Sequence, residues 1–314
     1  MNGSTALRVA VIGVGHLGRH HARILSALPG ATLAGVVDVR AERAAEVASA
    51  CGTRPFSRPE DLVGGVDAVS IAVPTAAHLD VALPLLELGI PVLVEKPLAR
   101  STAEADRLIA AAEARGAVLA VGHTERFNPA VEAAAREVSD PRFVKVHRLG
   151  TLPERSLDID VVFDLMIHDL DIILSMVASE VASIEAVGVP VLTGRVDIAN
   201  ARLRFENGCI ANLTASRISR ERVRKIRFFQ ADAYVSIDYA AQEVELYRLV
   251  RRAGAPPAIE GGRMAVVHEE PLARELSDFL GAVREGRPPL VTGRDGRRAL
   301  AVAERVAARM GAEA

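Results

Sequence analysis

Short apolar runs alternate with longer amphipathic stretches through the first 124 residues. Runs at Leu7–Val14, Leu33–Asp38, Val66–Val73, Pro91–Glu95 and Ala117–Gly122 have the length of buried strands. Between them lie helix-like stretches. One closes near Leu28, and others span Ala41–Ala50 and Thr75–Leu88. A fourth opens at the capping box Ser101 to Glu104 and stops at Gly116. This alternation predicts a doubly wound parallel sheet covered on both faces.

After about residue 125 the texture changes. A helix is expected at Pro129–Val138, a strand at Arg142–Arg148, and a helix, apolar nearly all round, from Asp160 to Val177. From Ile184 to Val250 the chain runs through β-branched and aromatic segments, with Glu206-Asn207-Gly208 as a hairpin signal. Arg252–Gly262 reads as a linker, and helices are expected at Pro271–Arg284 and Asp295–Met310. The expected fold is α/β: an N-terminal Rossmann domain over 1–124 and a C-terminal α+β domain over 125–314, built on an open, mainly antiparallel sheet. Ile210, Leu213, Phe228 and Tyr234 put apolar residues on both sheet faces, so self-association as a homodimer or homotetramer is one expectation. Cover by the terminal helices alone is the other.

The first strand meets Gly13, Gly15 and Gly18, and Asp38 closes the second run. Strand, glycine turn and helix, followed by an acid at this distance, fit a dinucleotide: phosphates at the helix N-terminus, ribose on the acid. His16 and Leu17 lie in the turn, Val39 and Arg40 beside the acid. Cofactors in such sheets sit beyond the strand ends, which here carry Pro74, Thr75, Glu95, Lys96 and His123. Asp38 favours NAD over NADP by repelling a 2′-phosphate, although Arg40 and Arg43 are close enough to hold one.

With 314 residues, 50% of them hydrophobic, the chain has material for two cores. Its formal charge of −2 gives no pull toward nucleic acid or an anionic membrane. Cys51 and Cys209 lack metal or disulfide spacing, MNGSTALR lacks a leader's apolar core, and no apolar run reaches membrane-spanning length. The expectation is a soluble cytoplasmic protein.

Two places invite chemistry. Asp164, His168 and Asp171 fall at i, i+4 and i+7 on the apolar helix, predicted to share a face. A carboxylate one turn from an imidazole suits a general acid/base, and equally a buried ion pair capped by an arginine. Metal is not expected, since no second histidine or cysteine joins them. Lys96 ends a buried strand at the ligand edge; it fits either a group that polarises a hydroxyl or a lysine snorkelling to solvent. His78 and His123 line the cleft or serve the structure. Arg126 and Asn128 can reach phosphate or sugar hydroxyls. Arg217, Arg220, Arg222, Arg224, Lys225 and Arg227 form either a diphosphate-facing or partner-facing patch or a solvated hairpin.

The set GVGHLG, Val73 to His78 (VPT-x2-H), Glu95 to Pro97 (EKP), GHTERFNP and D-x3-H resembles the glucose–fructose oxidoreductase, inositol dehydrogenase and rhizopine catabolism family (Gfo/Idh/MocA) along essentially the whole chain. The resemblance implies a nicotinamide-dependent oxidoreductase acting on a sugar or cyclitol hydroxyl. Lys96 matches the family's lysine, which supports an alkoxide. His168 and Asp164 match its proton-passing histidine and the aspartate that holds the geometry. Where many members have a glycine-rich run, this chain has Asp160-Val-Val-Phe. GHTERFNPAV with DVVFDLMIHDLDI is similar to the branch containing UDP-N-acetylglucosamine 3-dehydrogenases. That implies a nucleotide-sugar substrate, a 3-keto product and a place in lipid A-type glycan synthesis. A dehydrogenase of a free sugar or inositol and a non-catalytic NAD sensor are the alternatives on this scaffold.

Overall fold

The computed structural model describes residues 6–151 and 159–311, so the leader reading of residues 1–5 lies outside them. The chain forms two compact units. One comprises the residues up to Thr124 with Glu270–Arg297; the other comprises Glu125–Glu269 with the residues from Arg298 on.

Six parallel strands make the sheet of the first unit: β1 (Leu7–Ile12), β2 (Ala31–Val37), β3 (Pro55–Phe56), β4 (Ala68–Ile71), β5 (Val92–Glu95) and β6 (Leu119–Gly122). Their order, β3-β2-β1-β4-β5-β6, reverses direction at β1, the switch point where ligands bind in such sheets. Helices α1 (Gly18–Ala27), α2 (Ala41–Cys51), α3 (His78–Glu87) and α4 (Thr102–Arg115) connect them. α4 starts and stops as its sequence predicts: the Ser101 hydroxyl accepts the Glu104 N–H, and Gly116 caps the end at φ +61°. β3 is too short to read from periodicity. It is docked by a close approach, since a Cβ on Gly35 would stand 2.3 Å from the Phe56 ring.

The expected span 125–314 for the second domain needs one amendment. Helix α7 (Pro271–Glu285) buries Leu276, Phe279 and Leu280 with Ala22, Ile24 and Leu25 of α1, inside the core of the first unit. Its amphipathic pattern shows that it packs, not where. The first turn of α8 (Gly293–Met310) also belongs here, with Gly293 and Gly296 close against Leu119 and Val121.

The second unit is an eight-stranded sheet of β7 (Phe143–Leu149), β8 (Val181–Val189), β9 (Ile198–Phe205), β10 (Ile210–Ser216), β11 (Val223–Phe229), β12 (Ala233–Asp238), β13 (Glu243–Val250) and β14 (Ala258–Arg263). The order is β14-β13-β12-β11-β7-β10-β9-β8, antiparallel throughout except that β7 runs parallel to β10. β14 corrects the linker reading of Arg252–Gly262. Gly261 sits at φ +145° and would place a Cβ 1.9 Å from the Leu246 carbonyl oxygen, so glycine there permits strand pairing. One sheet face buries Val146, Leu213, Ile226, Phe228 and Val235 against α5 (Pro129–Ala135), α6 (Ile167–Met176) and the later turns of α8. The other face carries Phe143, Phe229, Tyr234 and Tyr247 in direct register across β7, β11, β12 and β13, with successive ring centroids 5.6, 5.2 and 6.3 Å apart. Among the described residues no helix is long and apolar enough to cross a membrane.

Candidate active site

The glycine turn divides its three residues by task. Gly13 stands at φ +83°, and a Cβ there would meet Val73 at 2.7 Å; one on Gly18 would lie 1.7 Å from the Gly13 carbonyl oxygen. Both are therefore required by the close packing of turn, helix and β4. A Cβ on Gly15 would meet only the guanidinium end of Arg43, at 3.6 Å, so this is the side from which a pyrophosphate can approach the backbone. No side chain caps α1, whose N-terminal N–H groups face the same ligand chemistry. His16 and Leu17 are exposed in the turn, and the His16 and His20 rings meet edge to face at 5.8 Å. The Asp38 carboxylate is nearly buried and fixed by two backbone donors, Val14 N–H at 3.1 Å and Arg40 N–H at 2.9 Å. Val39 and Arg40 are exposed beside it, the Arg40 guanidinium 4.0 Å from Asp38. These residues fit NAD.

The lysine loop follows β5. Lys96 is half-buried and its peptide bond to Pro97 is cis. Glu95, before it, is buried: Oε1 lies 3.1 Å from His21 Nε2, and Oε2 accepts the Lys96 backbone N–H at 3.1 Å. Burial pushes the Glu95 carboxyl up, but the His21 hydrogen bond and the neighbouring Lys96 charge outweigh it and hold the group below its ordinary range. His21 Nδ1 is 2.8 Å from the Ser70 hydroxyl on β4. On the other side, His78 Nδ1 lies 2.9 Å from the Pro97 carbonyl oxygen and Nε2 lies 3.0 Å from that of Val73. The reading of His78 as a cofactor ligand changes accordingly. Its ring is 1% exposed and its nitrogens face carbonyl oxygens, so it clasps the Lys96 loop to the turn carrying Pro74 and Thr75. Burial pushes the His78 imidazole down despite those carbonyls. His123 is buried at the end of β6.

In the second unit the apolar helix is broken by a π turn, Val162–Met166, before α6 begins. Asp164 and His168 are half-buried, whereas Asp169 and Asp171 are buried and ion-paired. Arg148, 4% exposed, grips Asp169 through two nitrogens at 2.6 and 3.0 Å and Glu125 through the third at 3.1 Å, with its guanidinium 5.0 Å from the Tyr239 ring centre. Burial pushes the Asp169 carboxyl up and the Arg148 fork opposes it, while the two carboxylates keep the guanidinium charged. Asp171 pairs with Arg126 at 3.5 Å.

Two sequence readings are corrected here. Asn128 is not placed to bind substrate: it is buried, its oxygen caps α5 through Ala130 N–H at 3.1 Å, and its amide donates to Glu125 and the Tyr239 carbonyl. Arg217 leaves the basic patch, being fully buried and bonded to the Ile159 and Val196 carbonyls, with its Nε 3.5 Å from Asp197. Asp197 in turn accepts the N–H groups of Val191, Leu192 and Thr193 and the Thr193 hydroxyl. Burial opposes its ionisation, yet these donors hold its pKa at about 2. His21, Ser70, Arg148 and Asp169 went unread in the sequence. The signal for the first two was a polar residue inside an apolar pattern: Ser70 in VDAVSIAV, His21 on the α1 stripe with Gly18, Ala22 and Leu25.

Comparison with known proteins converges on one family. Residues 7–123 match the oxidoreductase family with an NAD-binding Rossmann fold, and residues 136–234 match the GFO/IDH/MocA C-terminal domain. A UDP-N-acetylglucosamine 3-dehydrogenase from Acidithiobacillus ferrooxidans is 44% identical over 96% of both chains. A solved structure of the enzyme of that name from the same organism superimposes with a TM-score of 0.91 at 41% identity, over 98% of each chain. An NAD-dependent scyllo-inositol 2-dehydrogenase from Bacillus subtilis is 30% identical over 92% of this chain and 90% of the relative. With both halves matched in order and the NAD fingerprint intact, the chain belongs to the Gfo/Idh/MocA oxidoreductases, NAD-dependent enzymes acting on CH–OH groups.

Proposed function

We propose that this chain oxidises the 3-hydroxyl of UDP-N-acetylglucosamine to a 3-keto sugar nucleotide. The observation that carries the reading is the 44% identity, over 96% of both chains, to the Acidithiobacillus enzyme of that activity. NAD, when bound, takes up the hydride that leaves C3. Gly15, the α1 N-terminus and Asp38 hold the dinucleotide, with Pro74, Thr75 and Glu95 beside it. His168 accepts the hydroxyl proton, Asp164 orients the imidazole, and the Lys96 ammonium supports the alkoxide that forms as the proton leaves. Arg126, already oriented by Asp171, is assigned to the diphosphate or the sugar. The product suits a cytoplasmic transaminase that makes an aminated sugar nucleotide for lipid A-type glycans. The aromatic row on the outer sheet face supports a homodimer or homotetramer through that sheet.

The test is NADH appearance at 340 nm with NAD and UDP-N-acetylglucosamine, drawn forward by a 3-keto-directed aminotransferase and glutamate. Turnover is expected, and Lys96→Ala or His168→Ala should lower kcat about a hundredfold, the scale of lost acid/base help, with NAD binding retained. Near-normal turnover in both variants would remove the mechanism. The 30% identity to scyllo-inositol 2-dehydrogenase favours a second reading, a free cyclitol or sugar as substrate. Turnover of scyllo-inositol but not of the nucleotide sugar would establish it. NAD binding without either turnover would leave a sensor.

A further inference from the structure

We infer that His21 is a positioning residue for Lys96, acting through Glu95; this rests on the proposed role of Lys96 at the reacting hydroxyl. The ring of His21 is fully buried between three elements. It leaves α1, meets Ser70 of β4 at 2.8 Å and meets Glu95 of β5 at 3.1 Å. The two Glu95 oxygens then divide: one is held by His21, the other holds the backbone N–H of Lys96 at 3.1 Å. On β6, a Cβ on Gly122 would lie 3.1 Å from Glu95 Cα, Cδ and Oε2, so glycine at this position leaves the carboxylate the place it occupies. With both Glu95 oxygens engaged, its grip on the lysine peptide is set by where His21 puts it.

An apolar side chain at position 21 would extend the α1 stripe without burying an imidazole against a carboxylate. The polar pair costs desolvation and stabilises the fold little compared with such a replacement. What it supplies is a fixed path from the glycine-loop helix to the lysine peptide. A misplacement of about 1 Å at a reacting group costs as much as a hundredfold in rate. The connectivity Ser70–His21–Glu95 is that of a nucleophilic triad, but the Ser70 hydroxyl is buried in the sheet, so it holds the ring and meets no substrate.

His21→Leu keeps the volume and removes both contacts, whereas His21→Gln keeps an N–H that reaches Glu95. On the substrate the wild type turns over, His21→Leu should lower kcat about tenfold or more, with KM and the Kd for NAD within about twofold. His21→Gln should recover to within about threefold of wild type. In a cycle with Lys96→Ala, the double variant should be no slower than Lys96→Ala alone, a result that a packing role would not give. If His21→Leu fails to fold, His21→Asn, polar beside Ser70 but short of Glu95, carries the same expectation. Wild-type kcat in His21→Leu, no recovery in His21→Gln, or an additive double variant overturns the inference while a slow Lys96→Ala leaves the lysine's role standing. A fast Lys96→Ala removes both.

Discussion

The Lys96 loop and the Asp164–His168 segment are each held by buried polar groups, but with different chemistry. Around Lys96 the holders are imidazoles: His21 through Glu95 before the lysine, His78 on the Pro97 and Val73 carbonyls after it. Around Asp164 and His168 they are guanidiniums. Arg217 ties the Ile159 carbonyl to Asp197 and Val196 upstream of the π turn, and Arg148 ties Asp169 to Glu125 one residue past His168. A guanidinium keeps its charge and its planar fork at any pH the fold survives; an imidazole changes its donors near neutrality. At His78, whose pKa burial lowers, the first anchor can therefore respond to pH, whereas the arginines of the second keep their charge.

The largest effect should come from breaking the arginine anchor. Arg148→Met leaves Asp169 and Glu125 buried without their cation, a defect of about 3–5 kcal/mol in unfolding free energy, read from denaturant midpoints. Arg148→Lys should recover little, because one ammonium cannot replace three directed N–H contacts. Full recovery by lysine would mean that charge alone holds α6, and the contrast between the anchors would narrow.

Asp197→Asn probes the upstream half. The folded carboxyl, held at about 2, lies below its unfolded value of 3.8, so its contribution is complete above about pH 5 and is lost as pH falls through 2. Near neutrality the substitution should cost about 2 kcal/mol, and the cost should shrink to nothing in acid. Equal losses at pH 7 and at the acid limit would show that shape, and not ionisation, matters at this site.

The sequence discloses these two regions unequally. Strand ends, glycine turn and Asp38 were readable because period-two and period-3.6 patterns with glycine punctuation are local features. The Asp164–His168 pair was readable as a buried helix carrying charge, but the π turn was not, since an inserted turn leaves the apolar pattern of an all-round buried helix unchanged. Asn128 and Arg217 were misread for a common reason: a polar side chain's partner, Glu125 or Tyr239 in one case and Asp197 in the other, is set by tertiary packing. α7 is the same lesson at larger scale. Its amphipathic face is plain in the sequence, but its return to the first unit depends on which core has room for Phe279 and Leu280.

The smallest effect should appear at His78, where the imidazole anchor meets pH directly. Burial depresses its folded pKa; the carbonyls of Val73, Pro97 and Leu98 and the nearby Glu95 charge pull the other way without prevailing. The unfolded chain therefore binds a proton near pH 6.5 that the folded chain refuses, and stability contributed by this site is present above that pH and declines as pH falls below it. One such group can tilt the stability curve by at most about 1.4 kcal/mol per pH unit. His78→Gln keeps a donor and an acceptor among the carbonyls but cannot titrate, so its curve between pH 7.5 and 5.5 should be flatter than that of the wild type, measured by urea unfolding at both values. Arg148→Lys, which leaves His78 in place, should keep the wild-type slope. Parallel curves for wild type and His78→Gln would mean that the clasp does not titrate in this range, and the Lys96 loop would then be as indifferent to pH as the segment held by the arginines.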